Sequence, residues 1–380
     1  MKVFVAAVFA MLFLTGCNTA GIGKCSKQSP QAAKKIRTGF FVGRGSAGHG
    51  VFWLARMMDY SPQMELVLLD GSDIKNDKLK GLDLLVIPGG DSWAQSADIG
   101  KDGAEKIREF VRNGGAYWGI CAGFHCTLNK PDRLQLVPYT WRNGVRGHRA
   151  ELAMDINKKG ADILGIKEGR YFVAYSRGPI SKEVNEWKHG RVDTLGVYRS
   201  TVSSIEAASD FMNAPAVIYG NYGKGKVVAT SFHPEMHRAN DPISMGCIYA
   251  VTGVKPTPEY PVKNYRPLRA AVLISYTLGK EPVRQVLELD KEKDIDITLL
   301  GADDIRSGIL LHTDVVIIPD INVNGKKKVI DAYKKDIASF LERNGRIIAG
   351  EEIAKLLPSH ENVEIIPSGK PFVKEVLKKF

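Results

Sequence analysis

The chain has 380 residues, 44% hydrophobic and 25% charged, with 53 Lys and Arg against 42 Asp and Glu for a formal charge of +11. This composition argues against long disorder, and no basic run is interleaved with aromatic residues as a nucleic-acid partner would require. The positive excess lies upstream of residue 269, because 269–380 carries 18 basic and 18 acidic residues, and it suits an anionic membrane surface or an acidic ligand. The length suits about two domains, and the five cysteines form no disulfide framework.

Met1-Lys2 and the apolar run Val3 to Leu14 read as the head of an export signal, too short to span a bilayer as a stable helix. The run ends in Leu14-Thr15-Gly16-Cys17, which resembles the bacterial lipobox. The resemblance implies lipidation of Cys17 at the end of a 1–17 signal; a plain secretory signal with an incidental cysteine is the alternative. Residues 18–34, rich in Gly, Ser, Gln and Lys, suit a flexible tether. Asn18 favours the outer membrane, if the enterobacterial sorting rule applies. The expected address is the cell envelope, lipid-anchored at the periplasmic face.

A first strand is expected over Lys35 to Val42. The glycine-rich Gly43 to Gly50 lacks Gly-Lys-Ser/Thr and the dinucleotide spacing, so it reads as a strand-to-helix loop rather than a phosphate cradle. A helix over Val51 to Tyr60, strands at Met64 to Leu69 and Leu82 to Ile87, and a helix over Lys101 to Asn113 follow. This alternation predicts an α/β fold with a doubly wound parallel sheet, whose chemistry sits at the carboxyl ends of its strands. The turn Pro88-Gly89-Gly90-Asp91 falls at such an end. So does Gly119-Ile120-Cys121-Ala122-Gly123, where flanking glycines allow a sharp strand-to-helix turn that lifts a nucleophile clear of the sheet. A helix N-terminus aimed at the thiol would favour its thiolate. A small buried hydrophobe is the other reading of Cys121, and a local redox pair with Cys126 stays open. A metal is not expected, since Cys121, His125 and Cys126 on a helix start do not converge on one point.

Short alternating segments such as Ala150 to Ile156 and Arg170 to Tyr175 read as antiparallel strands added to one side of the sheet. A hairpin of Ala214 to Tyr219 and Lys226 to Ser231 delivers Phe232-His233-Pro234-Glu235 at its end. Cys121, His233 and Glu235 supply a nucleophile, a base and a carboxylate that orients the base. The amides of Gly90 and Ala122 are candidates for an oxyanion hole. A helix over Pro242 to Val251 closes a domain spanning 35–254, and four prolines mark 255–268 as a linker.

The remainder, 269–380, reads as a smaller, degenerate α/β copy of the opening. Asp314-Val315-Val316-Ile317-Ile318-Pro319-Asp320 parallels Asp83-Leu84-Leu85-Val86-Ile87-Pro88-Gly89, and Phe340 to Gly350 parallels Phe110 to Gly119. Glu351 then stands at or beside the place of Cys121, which implies a non-catalytic copy.

Gly119-Ile120-Cys121-Ala122-Gly123, Pro88-Gly89-Gly90 and the Gly223 to Glu235 segment resemble class I glutamine amidotransferases, whose fold is flavodoxin-like. With Tyr175-Ser176-Arg177-Gly178-Pro179 added, the resemblance is greatest to the amino-terminal domain of biotin-protein ligases and its free-standing bacterial relatives. It implies Cys121 as nucleophile, His233 as base and Glu235 as its orienter. It also implies Gly89, His125, Tyr175, Ser176 and Arg177 around a small amide or peptide-like substrate, with no cofactor. Glutaminases usually carry Gln where this chain has His125, which departs from glutamine as substrate. Two functions follow as expectations: a membrane-anchored cysteine amidohydrolase or amidotransferase-like enzyme, or a non-catalytic envelope lipoprotein that keeps the fold to hold a ligand or partner.

Overall fold

The computed structural model describes residues 34–143, 149–184, 187–202, 211–236, 241–273, 279–320 and 323–380. The expected signal, Cys17, Cys25 and all of the expected tether except Lys34 lie outside them. Residues 35–380 form one compact unit.

In chain order the first part comprises β1 (Ile36–Phe41), α1 (Gly48–Asp59), β2 (Met64–Leu69), α2 (Gly71–Lys75), β3 (Leu84–Ile87), α3 (Ser92–Arg112), β4 (Ala116–Ile120) and α4 (Ala122–Thr127). Then come β5 (Tyr139–Asn143), β6 (Arg149–Ile156), α5 (Lys158–Leu164), β7 (Gly169–Ser176), β8 (Ile180–Glu183), β9 (Val192–Tyr198), β10 (Pro215–Tyr222), β11 (Gly225–Thr230) and α6 (Asp241–Thr252). Nine of these strands make one sheet in the order β2-β1-β3-β4-β11-β10-β9-β6-β7. The run from β2 to β11 is parallel, and β10, β9, β6 and β7 extend it antiparallel.

The central strands are buried on both faces, and their side chains alternate between two cores. Phe40, Val86 and Trp118 enter one with α1 and α6, while Phe41, Ile87 and Tyr117 enter the other with residues of α3 and α4. The helix expected from Lys101 is the second arm of α3. Asp91 caps an earlier arm by accepting the amides of Trp93 and Ala94, and Gly100 (φ 68°, ψ 178°) breaks the helix between the two. The helix α5 is an addition to the expected strand-only segment, capped by Asn157 at its start and by left-handed Gly165 at its end.

The second part comprises β12 (Leu268–Leu273), α7 (Lys280–Lys291), β13 (Ile295–Leu300), α8 (Ala302–Arg306), β14 (Val315–Ile318), α9 (Val323–Ala332), α10 (Lys334–Glu342), β15 (Arg346–Gly350), α11 (Glu351–Ala354), β16 (Val363–Ile366) and α12 (Phe372–Leu377). Its five-stranded parallel sheet, β13-β12-β14-β15-β16, repeats the order β2-β1-β3-β4-β11. The repeat extends to individual bonds. Asp83 accepts the amide of Arg37 and Asp314 that of Arg269, each at 2.9 Å. Gly115 and Gly345 each pack against the ring of a phenylalanine five residues before them, Phe110 and Phe340.

The two sheets share a core. Val51, Leu54 and Met58 of α1 belong to one apolar cluster with Val283 and Val286 of α7 and Val272 of β12. Polar contacts tie the same helices. The buried Asp290 takes Arg56 Nε at 2.6 Å and the Tyr60 hydroxyl at 2.9 Å, and Lys291 pairs with Asp59 at 2.8 Å.

Candidate active site

The strands β4 and β11 are parallel neighbours, with Ile120 opposite Thr230. Continuing each strand brings Cys121 beside the turn that carries His233, and the Cys121 amide donates to the Thr230 carbonyl at 2.7 Å. Cys121 itself has φ 51° and ψ −101°, a left-handed backbone that costs a non-glycine residue on the order of 1–3 kcal/mol. The turn ends β4 and starts α4, so the side chain leaves the strand axis at the sheet's carboxyl edge. Its Sγ donates to the Ser176 carbonyl at 3.4 Å.

His233 is fixed from several sides. Its amide donates to the Ala174 carbonyl at 2.8 Å, its Nδ1 lies 2.8 Å from Glu235 Oε1, and the Cys121 sulfur lies near enough to act on its charge. Burial opposes the charged imidazolium, but the Cys121 sulfur and the Glu235 carboxylate outweigh it and hold the His233 pKa well above its ordinary value. The Glu235 side chain is only 1% exposed, and among the described residues its Oε2 has no hydrogen-bond partner. The arrangement can therefore keep a proton between sulfur and imidazole, with the buried carboxylate offsetting the charge.

The turn after β3 approaches from the other side. The Gly89 carbonyl accepts from the Ala47 amide at 2.9 Å, and the Asp91 amide donates to the Gly45 carbonyl at 2.8 Å. Gly90, at φ 145°, comes so close to Gly45 that a Cβ there would stand 1.9 Å from its carbonyl oxygen. Only glycine fits this approach. Among the described residues no acceptor takes the amide of Gly90 or of Ala122, which leaves both free for a developing oxyanion.

The remaining expected site residues have distinct places. Tyr175 is buried against Tyr198 and Phe211, its hydroxyl donates to the Gly178 carbonyl at 2.6 Å, and burial with the nearby Cys121 sulfur raises its pKa. Ser176 meets the Cys121 thiol through its carbonyl rather than its hydroxyl. Arg177 is exposed with φ 60°. His125, one turn along α4 from Cys121, accepts from Arg133 Nε at 3.2 Å through Nδ1 and packs edge-on to Trp141. Burial, then the Arg133 and Lys130 charges, pull its pKa down to about 4, so it is a neutral ring with its proton on Nε2. Cys126 belongs to the opposite core from Cys121, where burial pushes its thiol up to about 11, so the two sulfurs do not form a local pair.

The sequence did not single out His49, Gly50 or Asp304. Gly50 stood in a run read as a loop, but α1 begins at Gly48, and a Cβ at Gly50 would meet Glu235 Oε1 at 2.6 Å.

Residues 46–129 match the family "Biotin-protein ligase, N terminal". That match covers Gly89, Gly90, Cys121, Ala122 and His125 and stops short of Tyr175, His233 and Glu235. The chain is 28% identical over 184 residues to the biotin–protein ligase of Schizosaccharomyces pombe, covering 42% of this chain and 26% of the ligase. It is 23% identical over 174 residues to the pyridoxal 5'-phosphate synthase subunit PdxT of Dehalococcoides mccartyi, covering 44% of this chain and 77% of that protein. Similar solved structures include a ThuA-like protein of Bacteroides uniformis (TM-score 0.47, 11% identity, 60% of this chain and 96% of that one). Another is PurLQS of Thermotoga maritima (TM-score 0.42, 16% identity, 56% of this chain and 98% of that one). Over 46–129 the chain is thus similar to the biotin-protein ligase N-terminal domain, and its fold is class I glutamine amidotransferase-like.

Proposed function

We propose that this chain is a cysteine amidohydrolase or amidotransferase-like protein that acts on a small amide or peptide-like substrate, held to the envelope membrane by a lipid on Cys17. The observation that carries the reading is the placement of Cys121 and the bonded pair His233–Glu235 at the ends of two adjacent parallel strands. The Cys121 thiolate attacks the amide carbonyl, and the amides of Gly90 and Ala122 receive the oxyanion. His233 gives its proton to the departing amine, then takes one from the water that cleaves the thioester. Glu235 holds the imidazole by Nδ1, leaving Nε2 for the sulfur and the substrate.

The second reading, a ligand-holding lipoprotein without turnover, is favoured by one contact: the thiol donates to the Ser176 carbonyl in the resting site. One experiment separates the two. Residue-resolved alkylation of Cys121 is followed against pH in the reduced protein and in His233→Ala. Fast labelling near neutral pH that slows in the variant supports the enzyme and directs a search through amide substrates. Slow labelling, equal in both, supports the ligand-holding protein. Lipid on Cys17 is tested separately, by mass spectrometry of the amino-terminal peptide from membranes.

A further inference from the structure

The second sheet reaches the site through two contacts in series. Glu235 is buried, and its Oε1 lies against the α1 backbone at Gly50, with no room for a side chain between them. The neighbouring His49 projects the other way, and its Nε2 lies 3.0 Å from Asp304 Oδ2. Asp304 belongs to α8, and the same oxygen accepts the amide of Gly301, at the end of β13, at 2.7 Å. Gly301 is itself packed on the His49 ring, with a built Cβ 3.0 Å from Cε1.

The first turn of α1 packs Val51 into the core shared with α7. Its N-cap residue, Ala47, offers no capping side chain. The far end of α1 is held to the second sheet by Arg56 and Tyr60 on Asp290 and by Asp59 on Lys291. The second sheet therefore grips α1 at both ends, and the end held by Asp304 is the one that presses on Glu235.

We propose that His49 and Asp304 are positioning residues for Glu235, so that the second sheet, which lacks a nucleophile of its own at Glu351, sets the geometry of the first sheet's active site. The inference rests on the reading of Cys121, His233 and Glu235 as a working triad. Releasing His49 lets the first turn of α1 relax away from Glu235. The carboxylate then holds Nδ1 of His233 less firmly, and the imidazolium that stabilises the Cys121 thiolate is less favoured.

The test is the pH profile of Cys121 alkylation by iodoacetamide in the full chain, for wild type, His233→Ala, His49→Ala, His49→Gln and Asp304→Ala, with a melting temperature for each. In His49→Ala and Asp304→Ala the labelling profile should move towards that of His233→Ala. The rate at pH 7 should fall about fivefold, the size expected for one lost hydrogen bond. His49→Gln keeps an Nε2 donor for Asp304 and should stay near wild type, which a role in packing the imidazole alone would not produce. If wild type depends on His233 but both alanine variants keep its profile, the inference fails and the triad reading stands. If wild type and His233→Ala label alike, both fail. Should Asp304→Ala not fold, the two His49 variants decide the matter.

Discussion

Gly89 lies directly beneath His233: a Cβ added at Gly89 would stand 2.3 Å from Cε1 of the imidazole and 3.0 Å from Nδ1. The absent side chain is what lets the histidine sit between Cys121 and Glu235. Gly89→Ala should therefore push the ring out of line. A misplacement of about 1 Å costs on the order of a hundredfold in a positioned reaction. Cys121 alkylation at neutral pH should drop on that scale in the variant, while its melting temperature falls only modestly. Alkylation kinetics beside a thermal melt measure both.

Cys121→Ala removes the thiol but keeps the β4–α4 turn. The side chain is small, and the strained backbone persists in either residue. Amide turnover should vanish with little change in melting temperature. A large loss of stability would instead mean that the sulfur serves packing.

His125 gives the pH dependence a definite sign. Its pKa is near 4 in the fold and near the ordinary 6.5 when unfolded. The unfolded chain therefore binds the extra proton first as pH falls, so His125 contributes stability above about 6.5 that is lost as pH drops through about 4. His125→Gln should flatten the acid side of the stability curve between those values. Urea denaturation at pH 7, 5.5 and 4.5 measures this.

Asp290 joins the two sheets. Its side chain is 3% exposed and its partner Arg56 is 12% exposed, with Tyr60 on the same oxygen. Asp290→Ala leaves the guanidinium over the Trp53, Tyr60 and Tyr260 rings without its carboxylate, and breaking a buried pair from one side costs about 3–5 kcal/mol. Urea unfolding should show that loss in a single transition, because the core through α1 and α7 is continuous.

The second sheet places different groups at the matching positions. Asp320 occupies the place of Gly89, and its carboxylate accepts the amides of Glu352 at 3.1 Å and Ile353 at 2.9 Å at the start of α11. A built-in anion thus sits over the helix start, where the first sheet leaves the amide of Ala122 open. Glu351 turns to the Ser368 amide at 3.1 Å.

Much of this was legible in the chain alone. Alternating apolar strands and helices specify a parallel sheet, because burial on both faces demands unbroken runs such as Leu84 to Ile87. The Pro88-Gly89-Gly90 turn and the glycines around Cys121 announce tight turns: Gly90 has a positive φ, and a Cβ on Gly119 or Gly123 would stand 2.6 Å or 2.0 Å from a backbone oxygen. The repeat was visible in Asp83 and Asp314, since each must cap the same strand pair. Other features were not legible. The kink at Gly100 and the helix α5 depend on capping by Asp91 and Asn157, local bonds that compete with equally plausible loops.

The sequence by itself determined the strand order's raw material, the turn at Cys121 and the candidacy of Cys121, His233 and Glu235. The tertiary structure alone decided that β4 and β11 lie side by side, which brings Cys121 to His233, and that α1 is held between two sheets with Gly50 against Glu235 and His49 against Asp304. The physical reason is range. Turn chemistry and burial periodicity act within a few residues and leave their mark in the local pattern. A contact such as His49 to Asp304 exists only after both sheets have packed on α1, and no spacing in the chain encodes it.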